Sequence, residues 1–102
     1  MDQSPLYAVI FRARPKQLNT AYAETAQRLR RIAVERYGCL DFVSICEGDQ
    51  EIAVSYWPDK AAIAAWKADP EHRAAQEQGR DVWYHEYQVD VVRVEHSYRY
   101  GT

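Results

Sequence analysis

Apolar side chains occupy both alternating sets of positions over residues 6–14, Leu6, Ala8 and Ile10 on one side and Tyr7, Val9 and Phe11 on the other. The chain therefore begins with a strand that is apolar on both faces and stopped by Pro15. From about Leu18 the spacing lengthens to Leu18, Tyr22, Ala26, Leu29, Ala33 and Tyr37, while Arg28, Arg30, Arg31 and Glu35 take the other side. That is an amphipathic helix ending at Gly38, with Glu24 placed to support Arg28 one turn on. Residues 39–46 and 51–57 are two β-type runs joined by Glu47-Gly48-Asp49-Gln50, a polar loop with glycine where an antiparallel hairpin turns.

Asp59 and then Asp69-Pro70 are helix-start signals. The first opens a short alanine-rich helix that carries Ile63 and Trp66 on one face, and the second a helix continuing to about Gly79. Alternation returns over residues 84–100. There Tyr87, Val89 and Val91 hand over to Val92, Val94, His96, Tyr98 and Tyr100, and the change of phase at Val91-Val92 predicts a bulge or a change of face.

The order β-α-β-β-α-β predicts an α+β, ferredoxin-like protomer over residues 1–102, one domain with a four-stranded antiparallel sheet and its helices on one face. The other face is then bare, although the first and last strands are apolar or aromatic on both sides. Pairing two sheets face to face in a homodimer covers it, and a last strand of about 15 residues, longer than usual, reaches the partner.

Composition narrows the class of protein. Thirteen Lys and Arg against 15 Asp and Glu give a net charge of −2, and the scattered arginines lack the basic footprint of a nucleic-acid binder. The first residues carry no basic and apolar leader, and no apolar run approaches a membrane span, so a cytoplasmic location without membrane contact is expected. Cys39 and Cys46 lie on the order of 23 Å apart if their segment is extended, too far to pair. They read as buried strand cysteines acting as small hydrophobes in a reducing compartment.

The strand ending in Tyr56-Trp57, the Ala62-Ile63-x-x-Trp66-Lys67 helix, Glu71-His72, Ala75-Gln76, Gly79-Arg80, Trp83-Tyr84 and the valine-rich last strand form a series covering nearly the whole chain. It resembles the antibiotic biosynthesis monooxygenase family of dimeric α/β-barrel proteins. The resemblance implies a ferredoxin-like protomer in a barrel-forming dimer. It also implies one of several activities, among them cofactor-independent oxygenation of phenols, hydroquinones or aromatic polyketides with molecular oxygen as co-substrate. A haem-degrading branch has a tryptophan on the second helix, a histidine ten residues on that ligates iron, and an asparagine on the first strand. Trp66 matches that tryptophan, but Gln76 stands in place of the histidine and Phe11 or a neighbour in place of the asparagine, so haem is not expected here.

On a helix over residues 70–79, His72, Gln76 and Gly79 share a face with Arg80 beside it. A base, an amide and a cation gathered there are candidates to deprotonate a phenol and hold its phenolate. Trp66, Trp83, Tyr84, Tyr87 and, from the first strand, Phe11 are candidate substrate contacts, with core or interface packing as the alternative for Trp83 and Tyr87. His72 alternatively is an exposed residue of a helix start, and Trp57 reads as packing. His72, His85 and His96 have no cysteine or carboxylate at ligand spacing, so no metal site is expected. The reading is a monooxygenase of a small aromatic substrate; the alternative is a non-catalytic ligand-binding or structural homodimer.

Overall fold

A computed structural model describes residues 6–16 and 18–101. The elements are β1 (Tyr7–Pro15), α1 (Thr20–Tyr37), β2 (Asp41–Glu47), β3 (Gln50–Trp57), α2 (Lys60–Ala68), α3 (Pro70–Gln78), a single π-turn (Gly79–Trp83) and β4 (Tyr84–Arg93). The strands form one antiparallel sheet in the order β2-β3-β1-β4, the ferredoxin-like arrangement.

Local chemistry sets the helix ends. Asn19 accepts the backbone N–H of Tyr22 at 2.9 Å and so caps α1, and Gly38, at φ 75°, adopts the left-handed conformation that closes it. Asp59 caps α2 by accepting from the Ala62 N–H at 2.7 Å. Asp69, buried, caps α3 through the N–H groups of Glu71 at 2.8 Å and His72 at 3.4 Å. The Tyr37 hydroxyl donates to the other Asp69 oxygen at 2.7 Å, which fastens the end of α1 to the α2–α3 junction and holds the Asp69 carboxyl below its ordinary range.

Register assigns the two sheet faces. Val9, Phe11 and Ala13 of β1 face the helices, together with Glu51, Ala53, Ser55 and Trp57 of β3 and Phe42 of β2. One buried cluster joins Val9, Ile32, Ala33, Cys39, Trp57, Ile63 and Trp66; a second, under the start of α1 and the π-turn, joins Ala13, Trp83 and Tyr84. The opposite face carries Ile10, Val43, Ile45, Ile52, Val54, Tyr56 and Val92, and none of the described helices covers it: Ile45 is 68% exposed.

Four expectations are corrected. β4 ends at Arg93, because its partner β1 gives out: Arg93 pairs with Tyr7, and the Val94 N–H makes one more bond to the Leu6 carbonyl at 2.9 Å. Pairing runs unbroken through Val91 and Val92, and the irregularity falls between Arg14 and Pro15, where proline has no N–H for the ladder. β2 starts at Asp41, and of the two cysteines only Cys39 is buried; Cys46 lies on the edge strand and is exposed. Arg28 pairs at 2.7 Å with Glu71 of α3, joining two helices, and not with Glu24 of its own.

Candidate functional site

The helix-facing side of the sheet divides into two neighbouring aromatic groups along β1. In the first, the Trp66 ring packs against Trp57 with centroids 5.1 Å apart, and edge-on against Phe42 at 5.9 Å and His72 at 4.2 Å. His72 occupies the first turn of α3 because the Asp69-Pro70 start turns that helix over the end of α2. The Nε1 of Trp66 and the Nδ1 of His72 are both buried without a hydrogen-bond partner among the described residues. Burial lowers the His72 pKa to about 4 against the opposing pull of Asp69, so the ring is neutral near pH 7.

That shift makes a stability prediction. The unfolded imidazole takes its proton near pH 6.5 and the folded one only near 4, so the unfolded state binds the extra proton in between. Stability is full above pH 6.5 and declines as pH falls to 4, by on the order of 2–3 kcal/mol. Urea unfolding at pH 7, 5 and 4 measures it. His72→Gln flattens the profile across this window; the same slope in the variant removes His72 as the cause.

The second group is built around Glu51. Glu51 follows the β-hairpin turn at a helix-facing position of β3 and is 4% exposed. The Tyr22 hydroxyl, from the first turn of α1, donates to Glu51 Oε1. The Tyr84 hydroxyl lies 3.3 and 3.2 Å from the two carboxylate oxygens and 3.0 Å from the Tyr22 hydroxyl. Burial first raises both tyrosine pKa values; the bond to Glu51 adds to it for Tyr22, against the bond received from Tyr84, and the bonds to Tyr22 and Glu51 add to it for Tyr84, so both phenols stay protonated. Around them, Phe11 meets Tyr84 edge-on at 5.5 Å and stacks on Tyr87 at 5.6 Å, and Trp83 meets Tyr22 edge-on at 5.2 Å. At the rim the Arg80 Nη1 donates to the Tyr87 hydroxyl at 3.3 Å. At Gly79 a Cβ would stand 3.1 Å from the Tyr84 ring, so any larger residue there makes that ring give way by a few tenths of an ångström.

The structure thus brings Phe11, Trp83, Tyr84, Tyr87 and Arg80 together and joins Trp66 to His72; of the expected trio, His72 lies against Trp66 and Arg80 donates to Tyr87. Arg80 belongs to the π-turn that follows α3, in which the Tyr84 N–H is bonded to the Gly79 carbonyl, and it donates to Tyr87. Gln76 stays half-buried on α3 one turn after His72. Trp66, Trp83 and Tyr84 are buried members of the packed interior. Of two surface depressions, one is lined by Arg12, Arg14, Glu86 and Gln88 together with Ala13, Gln50, Glu51 and Tyr87, and the other by Ile45, Glu47, Asp49, Gln50 and Ile52. Glu51 and Tyr22 are the residues the sequence did not single out.

Comparison with known proteins follows the same line. The uncharacterized protein YqjZ of Bacillus subtilis (strain 168) is 43% identical over 94 residues, covering 91% of this chain and 82% of that protein. The jasmonate monooxygenase ABM of Pyricularia oryzae is 30% identical over 99 residues, which span 92% of this chain but only 46% of that protein. SnoaB, a cofactor-independent oxygenase from Streptomyces nogalater, shares the fold with a TM-score of 0.76 at 11% identity, covering 92% of this chain and 97% of that one. Residues 7–78 match the antibiotic biosynthesis monooxygenase family, and to that family the chain belongs.

Proposed function

We propose that the protein is a cofactor-independent monooxygenase of a small phenol, hydroquinone or polyketide-like aromatic, working as a homodimer. Family membership, and the oxygenases among its relatives, support the reaction class. The observation that carries the reading is the pair of unpartnered buried atoms, Trp66 Nε1 and His72 Nδ1, on two rings in contact. One is a donor and the other, with the proton on Nε2, an acceptor; a substrate hydroxyl does both and satisfies the two at once.

The substrate supplies the electrons. An anthrone-type phenol takes up one O₂, keeps one oxygen atom as a new carbonyl and releases the other as water with the two hydrogens of the oxidised carbon, so atoms and electrons balance without a further reductant. With a pKa near 4, His72 orients the hydroxyl and does not retain its proton. Gln76 lies one turn further along the same helix. Phe11 and Tyr87, half-buried, form the near wall for the ring, Trp83 and Tyr84 the wall behind, and Arg80 holds Tyr87 in place.

Anthrone oxidation followed in an oxygen electrode tests this. One O₂ is consumed per quinone formed, and His72→Ala or Trp66→Phe lowers kcat/KM at least about tenfold, the cost of a lost buried hydrogen bond, with the assembly intact. Undiminished turnover in both variants removes this pair from the mechanism. No uptake with anthrones, hydroquinones or naphthols overturns the reading altogether. The burial of Trp66, Trp83 and Tyr84 favours one alternative, a non-catalytic dimer that binds the same hydroxyl compound, and it predicts binding without oxygen consumption.

The homodimer rests on the uncovered outer face, where Ile45, Val43, Ile52 and Val92 are exposed on one continuous sheet surface. Two such faces packed together form the barrel. Residues 94–101 extend past the end of β1 with Tyr98 and Tyr100 exposed, and their place is across the partner. No described helix is long and apolar enough to cross a membrane.

A further inference from the structure

Glu51 is a buried carboxylate with no cation on it. The ion pairs among the described residues join Arg14 to Glu86, Arg28 to Glu71 and Arg36 to Asp69, and none reaches Glu51. Taking a carboxylate out of water costs several kcal/mol, and packing alone is served better by an apolar residue of similar volume. Its partners are the two tyrosine hydroxyls, each with a single proton to give.

The hydrogen-bond directions then decide what the group can receive. A carboxylate only accepts, so both phenol protons are committed within the trio, and what remains free are lone pairs on the Tyr22 and Tyr84 oxygens. The trio is an acceptor with no donor left. Beside it the Trp83 Nε1–H, on a side chain 5% exposed whose ring meets Tyr22 at 5.2 Å, is a buried donor without a partner. A hydroxyl, of water or of a ligand, gives a proton to the first and takes one from the second. The aromatic surroundings of Phe11, Tyr84 and Tyr87 suit a flat ring, and the Arg80 guanidinium at the rim works against an ammonium ion as the occupant.

We propose that Tyr22, Glu51, Tyr84 and Trp83 form a hydroxyl-recognition site, in which an aromatic O–H donates to the carboxylate-anchored tyrosines and accepts from the indole. This deepens the monooxygenase reading and rests on its substrate class: the two aromatic groups adjoin along β1, where Val9 and Phe11 are about 7 Å apart on one face. Glu51 is a positioning residue, acting on the ligand through the tyrosine oxygens.

Equilibrium binding of 2-naphthol and of its methyl ether, 2-methoxynaphthalene, to the full-length protein tests the site apart from turnover. The ether keeps the ring and the acceptor oxygen and loses the proton. The wild type binds the naphthol at least about tenfold more tightly, as expected for a hydrogen bond to a charge-anchored acceptor. Glu51→Gln and Tyr22→Phe each reduce that preference to about twofold or less, while affinity for the ether stays within about twofold. Tyr22→Phe keeps the ring on Trp83, so the test survives if Glu51→Gln folds poorly. Equal affinity for the two compounds in the wild type, or an undiminished preference in Tyr22→Phe, overturns the proposal. A naphthol preference without oxygen uptake leaves the site standing and overturns the monooxygenase reading alone.

Discussion

Trp57→Ala lowers stability by about 3–5 kcal/mol, enough to leave a protein of ordinary stability partly unfolded at 37 °C. Trp57 is the largest fully buried side chain, at 0% exposure, and it closes the helix side of β3. Its ring lies against Trp66, and through Trp66 it supports both Phe42 and His72, so truncation leaves a cavity that three neighbours cannot fill without abandoning each other. The indole N–H also donates to the Ser55 hydroxyl at 2.8 Å, and that buried oxygen loses its partner with the ring. Urea unfolding at pH 7 followed by circular dichroism measures the loss. Trp57→Phe keeps most of the volume and costs roughly 1–2 kcal/mol. A Trp57→Ala protein within about 1 kcal/mol of the wild type shows that the first cluster relaxes freely and is not the packed support of His72.

The elements were legible because their signals are local. Asp59 and Asp69 supply side-chain oxygens where two helices start, Gly38 supplies the left-handed residue where one ends, and the β runs alternate without help from distant partners. The assignment of faces was not local. On β3 the more apolar set is Ile52, Val54 and Tyr56, yet the helices pack on the set that contains Glu51 and Ser55. A strand between two apolar environments carries no mark saying which one its own helices provide. Glu51 was passed over for that reason: as a charge next to a hairpin turn it looks solvated, and only register and the arrival of Tyr22 from 29 residues earlier bury it. The pairing of Arg80 with Tyr87 was equally hidden, because the π-turn that carries Arg80 differs from a helical continuation by one residue of hydrogen bonding that spacing rules do not contain.

The same inversion of faces makes the second large prediction. A protein carrying Ile45→Lys and Ile52→Lys is a folded monomer at concentrations where the proposed wild-type dimer is assembled. The two isoleucines face each other across the β2–β3 hairpin on the outer side of the sheet, 68% and 42% exposed, so in an isolated protomer each lysine keeps its ammonium in water at little cost to folding. In a two-fold dimer built on this face the same substitutions bury four ammonium groups without partners. Each costs several kcal/mol or must lose its charge, which weakens the dimer at least about a thousandfold. Light scattering on a sizing column reads the mass, and circular dichroism reports the fold. Val34→Lys, which adds the same charge to an exposed apolar position on α1, leaves the dimer intact and separates the effect of place from the effect of charge. A dimeric double-lysine variant moves the interface off this face. A monomeric wild type leaves the apolar sheet without the occupant its side chains are suited to, and the homodimer is then withdrawn.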